Sequence, residues 1–228
     1  KSNALKIMID HHEHPGDYAS ITFSDATKGS TCEMVYELIS HLDHDQIDEA
    51  IASCLYTGIM TDTGSFRFPS TTARTHQVVS KLIEKGAQPH LINQKIYDTN
   101  SINRLRLLGT ALKNLKKIDS TPVVYITLSQ KELNQNKFKK GDTEGFVNYG
   151  LSLEGILLAV IMIENEVEKI IKMSFRSKGS FDVNKFAKKY FNGGGHVNAA
   201  GGLSNLTLDE TVEQLIKVIA EEKSKFYV

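Results

Sequence analysis

Leu5-Lys6-Ile7-Met8-Ile9-Asp10-His11-His12 runs from an apolar strand straight into a carboxylate and two imidazoles. A near-continuous apolar strand belongs in the buried middle of a parallel sheet. One buried strand cannot be a whole sheet, so the chain reads as beginning inside a domain. After Pro15-Gly16, residues 19–23 form a second short strand. Helical periodicity follows: Met34, Val35, Leu38, Ile39 and Leu42 share one face, then Ile47, Ala50, Ile51, Cys54, Leu55 and Ile59 share the next. Two more helices are predicted over 72–85 and 89–98, and a basic one over 101–118 reads as an interdomain linker. Beyond it the pattern turns to strands over 123–128, 156–163 and 167–175. A helix carrying Val183, Phe186, Ala187 and Tyr190 comes next, and a last one carries Leu208, Val212, Leu215, Ile216 and Ile219. The fold class is α/β: the C-terminal part of a parallel-sheet domain (1–100), a helical linker (101–118) and a smaller mixed-sheet α/β domain (119–228).

Composition limits the function. Hydrophobic residues make up 40% of the 228 and charged residues 24%, as in an ordinary globular protein. Lys+Arg and Asp+Glu are both 27, which argues against a protein that coats long nucleic acid, since that needs a broad basic face. A small phosphorylated ligand remains compatible with that balance. Cys32 and Cys54 form neither a disulfide framework nor a zinc pattern, which fits a reducing, cytoplasmic compartment. No signal peptide or bilayer-spanning run is visible, so no membrane partner is expected.

Four groups of residues have chemical potential. Ligand sites in open α/β sheets lie past the carboxyl ends of strands, where Asp10, His11 and His12 fall. They read either as a hydrogen-bonded loop or as donors for a divalent ion of intermediate hardness such as Mn²⁺. Asp62, between two threonines and before Gly64, is a second carboxylate candidate or an Asx-turn residue. Residues 168–190 hold seven bases against two acids, and Arg176-Ser177 closes a strand where a guanidinium could grip phosphate. Gly193-Gly194-Gly195-His196 then reads as a tight turn or as an anion-wrapping loop, with Ala199, Ala200 and Gly201 suited to a tightly packed short helix. The histidine and the basic segment before it favour the anion reading. His41, Asp43, His44 and Asp45 fall in a polar interhelical loop, His14 and His90 sit beside prolines at exposed positions, and His76 reads as structural.

Asp10-His11-His12, Gly58-Ile59-Met60-Thr61-Asp62-Thr63-Gly64-Ser65-Phe66-Arg67-Phe68, Ser174-Phe175-Arg176-Ser177-Lys178 and Gly193-Gly194-Gly195-His196 occur in this order. The series resembles the DHH phosphoesterase family, most closely its nanoRNase/pAp-phosphatase branch, across nearly the whole chain. The last motif resembles the family's DHH-associated C-terminal domain. The resemblance implies that His11 and Asp62 are metal ligands, that His12 lies against the scissile phosphate and that Asp10 supports the cluster. It implies that Arg176, Ser177, His196 and the amides of Gly193, Gly194 and Gly195 hold the far end of the substrate. The implied reaction is two-metal hydrolysis with Mn²⁺, for which Mg²⁺ or Co²⁺ could substitute. Implied substrates are short RNA, cut to 5′-mononucleotides, and pAp. Alternatives are a cyclic-di-AMP or pApA phosphodiesterase and a phosphate- or nucleic-acid-binding module without activity. A homodimer is allowed. One departure stands out: the family's His/Asp-x-Asp motif and a further aspartate are missing, expected upstream of Lys1 in roughly a hundred residues. Residues 1–228 alone are therefore expected not to be a competent hydrolase.

Overall fold

The computed structural model describes residues 3–12 and 15–226, with His44 described by its main chain only; His14 and the His44 side chain lie outside the described residues. Contacts divide the chain into two units, Lys1–Thr99 and Asn100–Val228.

In the first unit, β1 (Ile7–Asp10) and β2 (Ile21–Ser24) pair in parallel, Asp10 opposite Ser24. Four helices follow: α1 (Thr31–Asp43), α2 (Glu49–Asp62), α3 (Ala73–Glu84) and α4 (Pro89–Tyr97). Their starts are written locally. Asp48 caps α2 by accepting from the Ile51 amide, Thr72 and Thr75 form a reciprocal capping box on α3, and Pro89 opens α4. Tyr36, Ile47, Ala52, Leu55, Ile59, Met60, Val78 and Leu82 form the buried core. Helices α1 and α2 touch closely, because a Cβ on Gly58 would lie 2.1 Å from Cys32 Sγ. The expected burial of the first strand is only partly met among the described residues. Met8 is buried, whereas Ile7, Ile21 and Phe23 are exposed, since β1 and β2 have only each other as sheet neighbours.

The second unit is a six-stranded mixed sheet. Its strands are β3 (Lys116–Lys117), β4 (Val123–Leu128), β5 (Leu158–Asn165), β6 (Ile170–Ser177), β7 (Gly194–His196) and β8 (Ala199–Ser204), in the order β3-β4-β5-β6-β8-β7. Only β4 and β5 are parallel. A parallel pair needs a crossover, which two short helices supply: α6 (Gln130–Gln135) and α7 (Phe146–Leu151). The predicted linker is α5 (Ile102–Lys113), and it is built into this unit: Leu107 and Ala111 are fully buried against Val124, Ile126 and Phe146. The other face is covered by α8 (Val183–Tyr190) and α9 (Leu208–Glu221), packed on Val123, Tyr125, Leu158, Val160 and Phe175. Strands β4 and β5 are thus buried on both faces, which explains their near-continuous apolar sequence.

The short helix expected after the glycine run is absent. Gly194–His196 and Ala199–Ser204 are instead two strands of a hairpin turning at Val197-Asn198. Its small residues serve close strand approach: a Cβ on Gly193 would meet the Gly201 carbonyl oxygen at 2.0 Å, and one on Gly195 would meet that of Ala199 at 2.4 Å.

Candidate active site

In the first unit the candidate residues gather where β1 and α2 both end. Asp10 closes β1 and accepts from the His12 amide (3.2 Å) and from His12 Nδ1 (2.5 Å). The His12 imidazole beside it holds the Asp10 carboxyl below its usual range, against a smaller opposing effect of burial. His11 is half-buried, its Nδ1 lying 3.3 Å from the Lys28 carbonyl oxygen. A carbonyl can only accept, so the proton sits on Nδ1 and the Nε2 lone pair is left for another partner. That Nε2 lies 3.8 Å from Asp62 Oδ2. The two imidazole rings, His11 and His12, are 4.6 Å apart between centroids.

Asp62 is the last residue of α2, where no basic side chain occupies the final turn. A carboxylate at the negative end of a helix is unfavourable by itself and becomes favourable once a cation stands beside it. The separation of 3.8 Å is too long for a hydrogen bond. It matches two donors sharing one ion, each about 2.1 Å from it. His11 and Asp62 therefore fit a divalent ion. Among the described residues no group of three or more His, Cys, Asp or Glu could hold one.

Several supports carry no signal in the sequence. The carbonyl that orients His11 belongs to Lys28, whose Nζ bonds both oxygens of Glu37 at 2.9 Å; Glu37 also accepts from Arg74 Nε at 3.3 Å. Beyond Asp62, Thr63 is fully buried and its hydroxyl donates to the Ile59 carbonyl. Gly64, Ser65 and Phe66 then all take positive φ. His76 packs its ring on Phe66, in keeping with a structural role.

In the second unit, Arg176 in β6 stands opposite Ala199 in β8, and Ala199 stands opposite His196 in β7. Two strand spacings put the two candidate side chains in one cross-strand row roughly 10 Å wide. Arg176 is half-buried and, among the described residues, donates only to the Phe175 carbonyl; burial alone lowers its pKa, with no carboxylate to offset it. A half-buried cation without a counter-ion is a ready partner for phosphate. His196 is exposed.

Two other candidates are engaged within the fold. Ser177 is buried, donates to the Phe181 carbonyl at 2.7 Å and accepts from Asn198 Nδ2 at 2.9 Å, so its hydroxyl anchors the hairpin tip. The Gly193 amide donates to the Ala187 carbonyl and the Gly195 amide to Asn184 Oδ1 at 3.0 Å. These two amides are not an open anion nest. Of the lysines in this region, Lys172, Lys185 and Lys189 are paired with Glu168, Asp182 and Glu222.

A parallel-sheet unit whose first strand ends in Asp-His-His, followed by a mixed-sheet unit with a glycine-histidine hairpin, defines a class. The chain belongs to the DHH family: residues 1–59 match the DHH family, N-terminal domain, and residues 120–225 match the DHHA1 domain. It is similar to the bifunctional oligoribonuclease and PAP phosphatase NrnA of Thermus thermophilus, 31% identical over 96% of this chain and 65% of that protein. The protein of the same name from Bacillus subtilis is 29% identical over 88% of this chain and 63% of its own length. Cyclic-di-AMP phosphodiesterase GdpP of Bacillus subtilis is 27% identical over 94% of this chain and 32% of its own length. Among solved structures, an exopolyphosphatase-related protein from Bacteroides fragilis is 38% identical, with a TM-score of 0.96 over the whole chain and 66% of that protein. The chain thus spans about 63–65% of the two NrnA proteins. No described helix is long and apolar enough to cross a membrane.

Proposed function

We propose that the protein is a divalent-metal-dependent phosphoesterase that hydrolyses short oligoribonucleotides to 5′-mononucleotides, pAp to AMP, or both. The observation that carries this is the approach of His11 Nε2 to Asp62 at 3.8 Å, with Nδ1 already engaged. The names of the NrnA relatives support it. His11 and Asp62 would hold the ion, with Mn²⁺ preferred for a mixed nitrogen and oxygen donor set. When bound, such an ion lowers the pKa of water and stabilises negative charge at phosphorus.

The chain's own residues do the rest. The Lys28 carbonyl keeps His11 in the tautomer that frees Nε2. Asp10 stays anionic and holds His12 through Nδ1, which orients the imidazole towards a phosphate oxygen at the scissile bond. In the second unit Arg176 binds a phosphate of the substrate and His196, in the same row, contacts its terminal nucleotide. With the Gly193 and Gly195 amides engaged, that grip rests on the side chains.

A panel assay of the intact protein tests this, offering a dinucleotide, a 5-mer RNA, pAp, cyclic-di-AMP and inorganic polyphosphate with Mn²⁺, with Mg²⁺ and with chelator. Hydrolysis of the dinucleotide and pAp, abolished by chelator, is expected. The similarity to an exopolyphosphatase-related protein makes polyphosphate the informative competitor, and preference for it overturns the nucleotide reading. Preference for cyclic-di-AMP shifts the assignment to the second phosphodiesterase class.

A further inference from the structure

We propose that Phe68, in the loop that follows Asp62, is a nucleobase platform, so that the cutting site reads a base as well as a phosphate. This rests on the phosphoesterase reading and narrows its substrates to those with a base next to the scissile phosphate.

The carrier is a strained loop. Directly after Asp62, Gly64, Ser65 and Phe66 have φ of 57°, 59° and 64°. Left-handed backbone is unfavourable for Ser and more so for Phe, and such runs persist where the surroundings hold them and function uses them. The surroundings here are specific. The Ser65 amide donates to the Met60 carbonyl at 2.8 Å, and the Arg67 and Phe68 amides both donate to the Thr63 carbonyl. The Ser65 hydroxyl donates to the Tyr97 hydroxyl at 3.0 Å, tying the loop to α4.

The outcome is a sorting of two phenylalanines. Phe66 turns inward against Tyr56 and His76, with ring centroids 6.0 and 5.6 Å away. Phe68 turns outward and is 51% exposed, although a large aromatic ring gains by burial. Its position is fixed, because its ring edge lies where a Gly64 Cβ would be, 2.6 Å from Cζ. Gly64 is therefore required both for its backbone and to seat the ring. Arg67 donates Nε to the Gly64 carbonyl at 2.7 Å, which orients its guanidinium and leaves Nη1 and Nη2 for a phosphate oxygen. A pinned, exposed aromatic face and an oriented cation together match one nucleotide: the ring stacks on the base and the guanidinium meets the phosphate. Inorganic polyphosphate has no group for the ring.

The test uses the intact protein with Mn²⁺ and two substrates: pApA, and its analogue with the 5′ base replaced by hydrogen. The quantity read is the ratio of kcat/KM between them. Phe68→Ala and Phe68→Leu are expected to lower that ratio about tenfold, mainly through KM for pApA, whereas Phe68→Trp retains it. A ratio unchanged in Phe68→Ala, including one accompanied by a lower Tm, overturns the platform while leaving the phosphoesterase reading intact. A wild-type protein that hydrolyses polyphosphate and neither nucleotide overturns the underlying reading, and the platform with it.

Discussion

Replacing each glycine of the Gly193-Gly194-Gly195 run by alanine separates backbone geometry from anion binding. At Gly193 the new methyl would lie 2.0 Å from the Gly201 carbonyl oxygen and 2.7 Å from the Gly202 Cα, both main-chain atoms of the paired strand. No rotamer relieves such a contact, so β7 must move off β8. At Gly195 the methyl would meet the Ala199 carbonyl oxygen at 2.4 Å, and φ is +155°, a conformation that L residues rarely adopt. At Gly194 the nearest atom is Lys188 Cε at 3.4 Å, the far end of a flexible side chain, and φ is not positive. Overpacking and backbone strain each cost about 1–3 kcal/mol, so Gly193→Ala and Gly195→Ala are expected to lose about 2–4 kcal/mol. Gly194→Ala should stay within about 1 kcal/mol of wild type, because the reduced entropy of the unfolded chain offsets a mild contact. Urea unfolding followed by circular dichroism measures this, read as a shifted midpoint at constant m-value. The reasoning fails if Gly193→Ala is as stable as wild type, or if Gly194→Ala is as damaging as its neighbours.

Burial pushes the Glu222 carboxyl up, but hydrogen bonds from Lys225, Tyr190 and Lys189 outweigh it and hold the pKa at about 2. A depressed folded pKa adds stability above the unfolded value near 4.5 that is lost as pH falls towards 2. Glu222→Gln should therefore lose about 2–3 kcal/mol at pH 7 and show a flatter stability profile between about pH 4.5 and 2.5; an unchanged acid limb would contradict the network. Asp62→Asn should lower metal-dependent hydrolysis by the intact protein at least about 100-fold while raising metal-free stability by a few tenths of a kcal/mol, since it removes a negative charge from the C-terminus of α2. Equal loss of activity and stability would make Asp62 structural. Ser177→Ala leaves the Phe181 carbonyl and Asn198 Nδ2 without their shared partner and should cost about 1–3 kcal/mol of stability without substrate present, whereas a purely substrate-binding serine would leave that stability unchanged.

Much of the fold is legible in the sequence because local rules and tertiary packing agree. The helical stripes of α1 and α2 recover part of the buried core of the first unit (Met34, Ile47, Leu55 and Ile59), whereas Leu38, Leu42, Ala50 and Cys54 are exposed; the apolar runs at 123–128 and 156–163 are strands covered on both faces. Short helices escape such reading: α6 and α7, of six residues each, are too short to show a period, although a parallel β4–β5 pair requires a crossover between them. The hairpin at 194–204 reads wrongly as a helix because glycine and alanine suit tight helix packing and tight strand approach equally well.

What the amino-acid order determined by itself was the set of chemical groups and their caps and stripes, since these depend on residue type and on neighbours a few positions away. Four motifs in register were sufficient to identify the family. The tertiary structure alone decided which groups remain available. Ser177 and the amides of Gly193 and Gly195 look like binding groups in the chain, yet each is engaged by a residue 4 to 21 positions away. Conversely, His11 acquires a free Nε2 facing Asp62 only because the Lys28 carbonyl, 17 residues along the chain, takes its other nitrogen. A hydrogen-bonding group can serve a ligand only if the fold has not already used it, and that depends on distances between segments that no local pattern encodes.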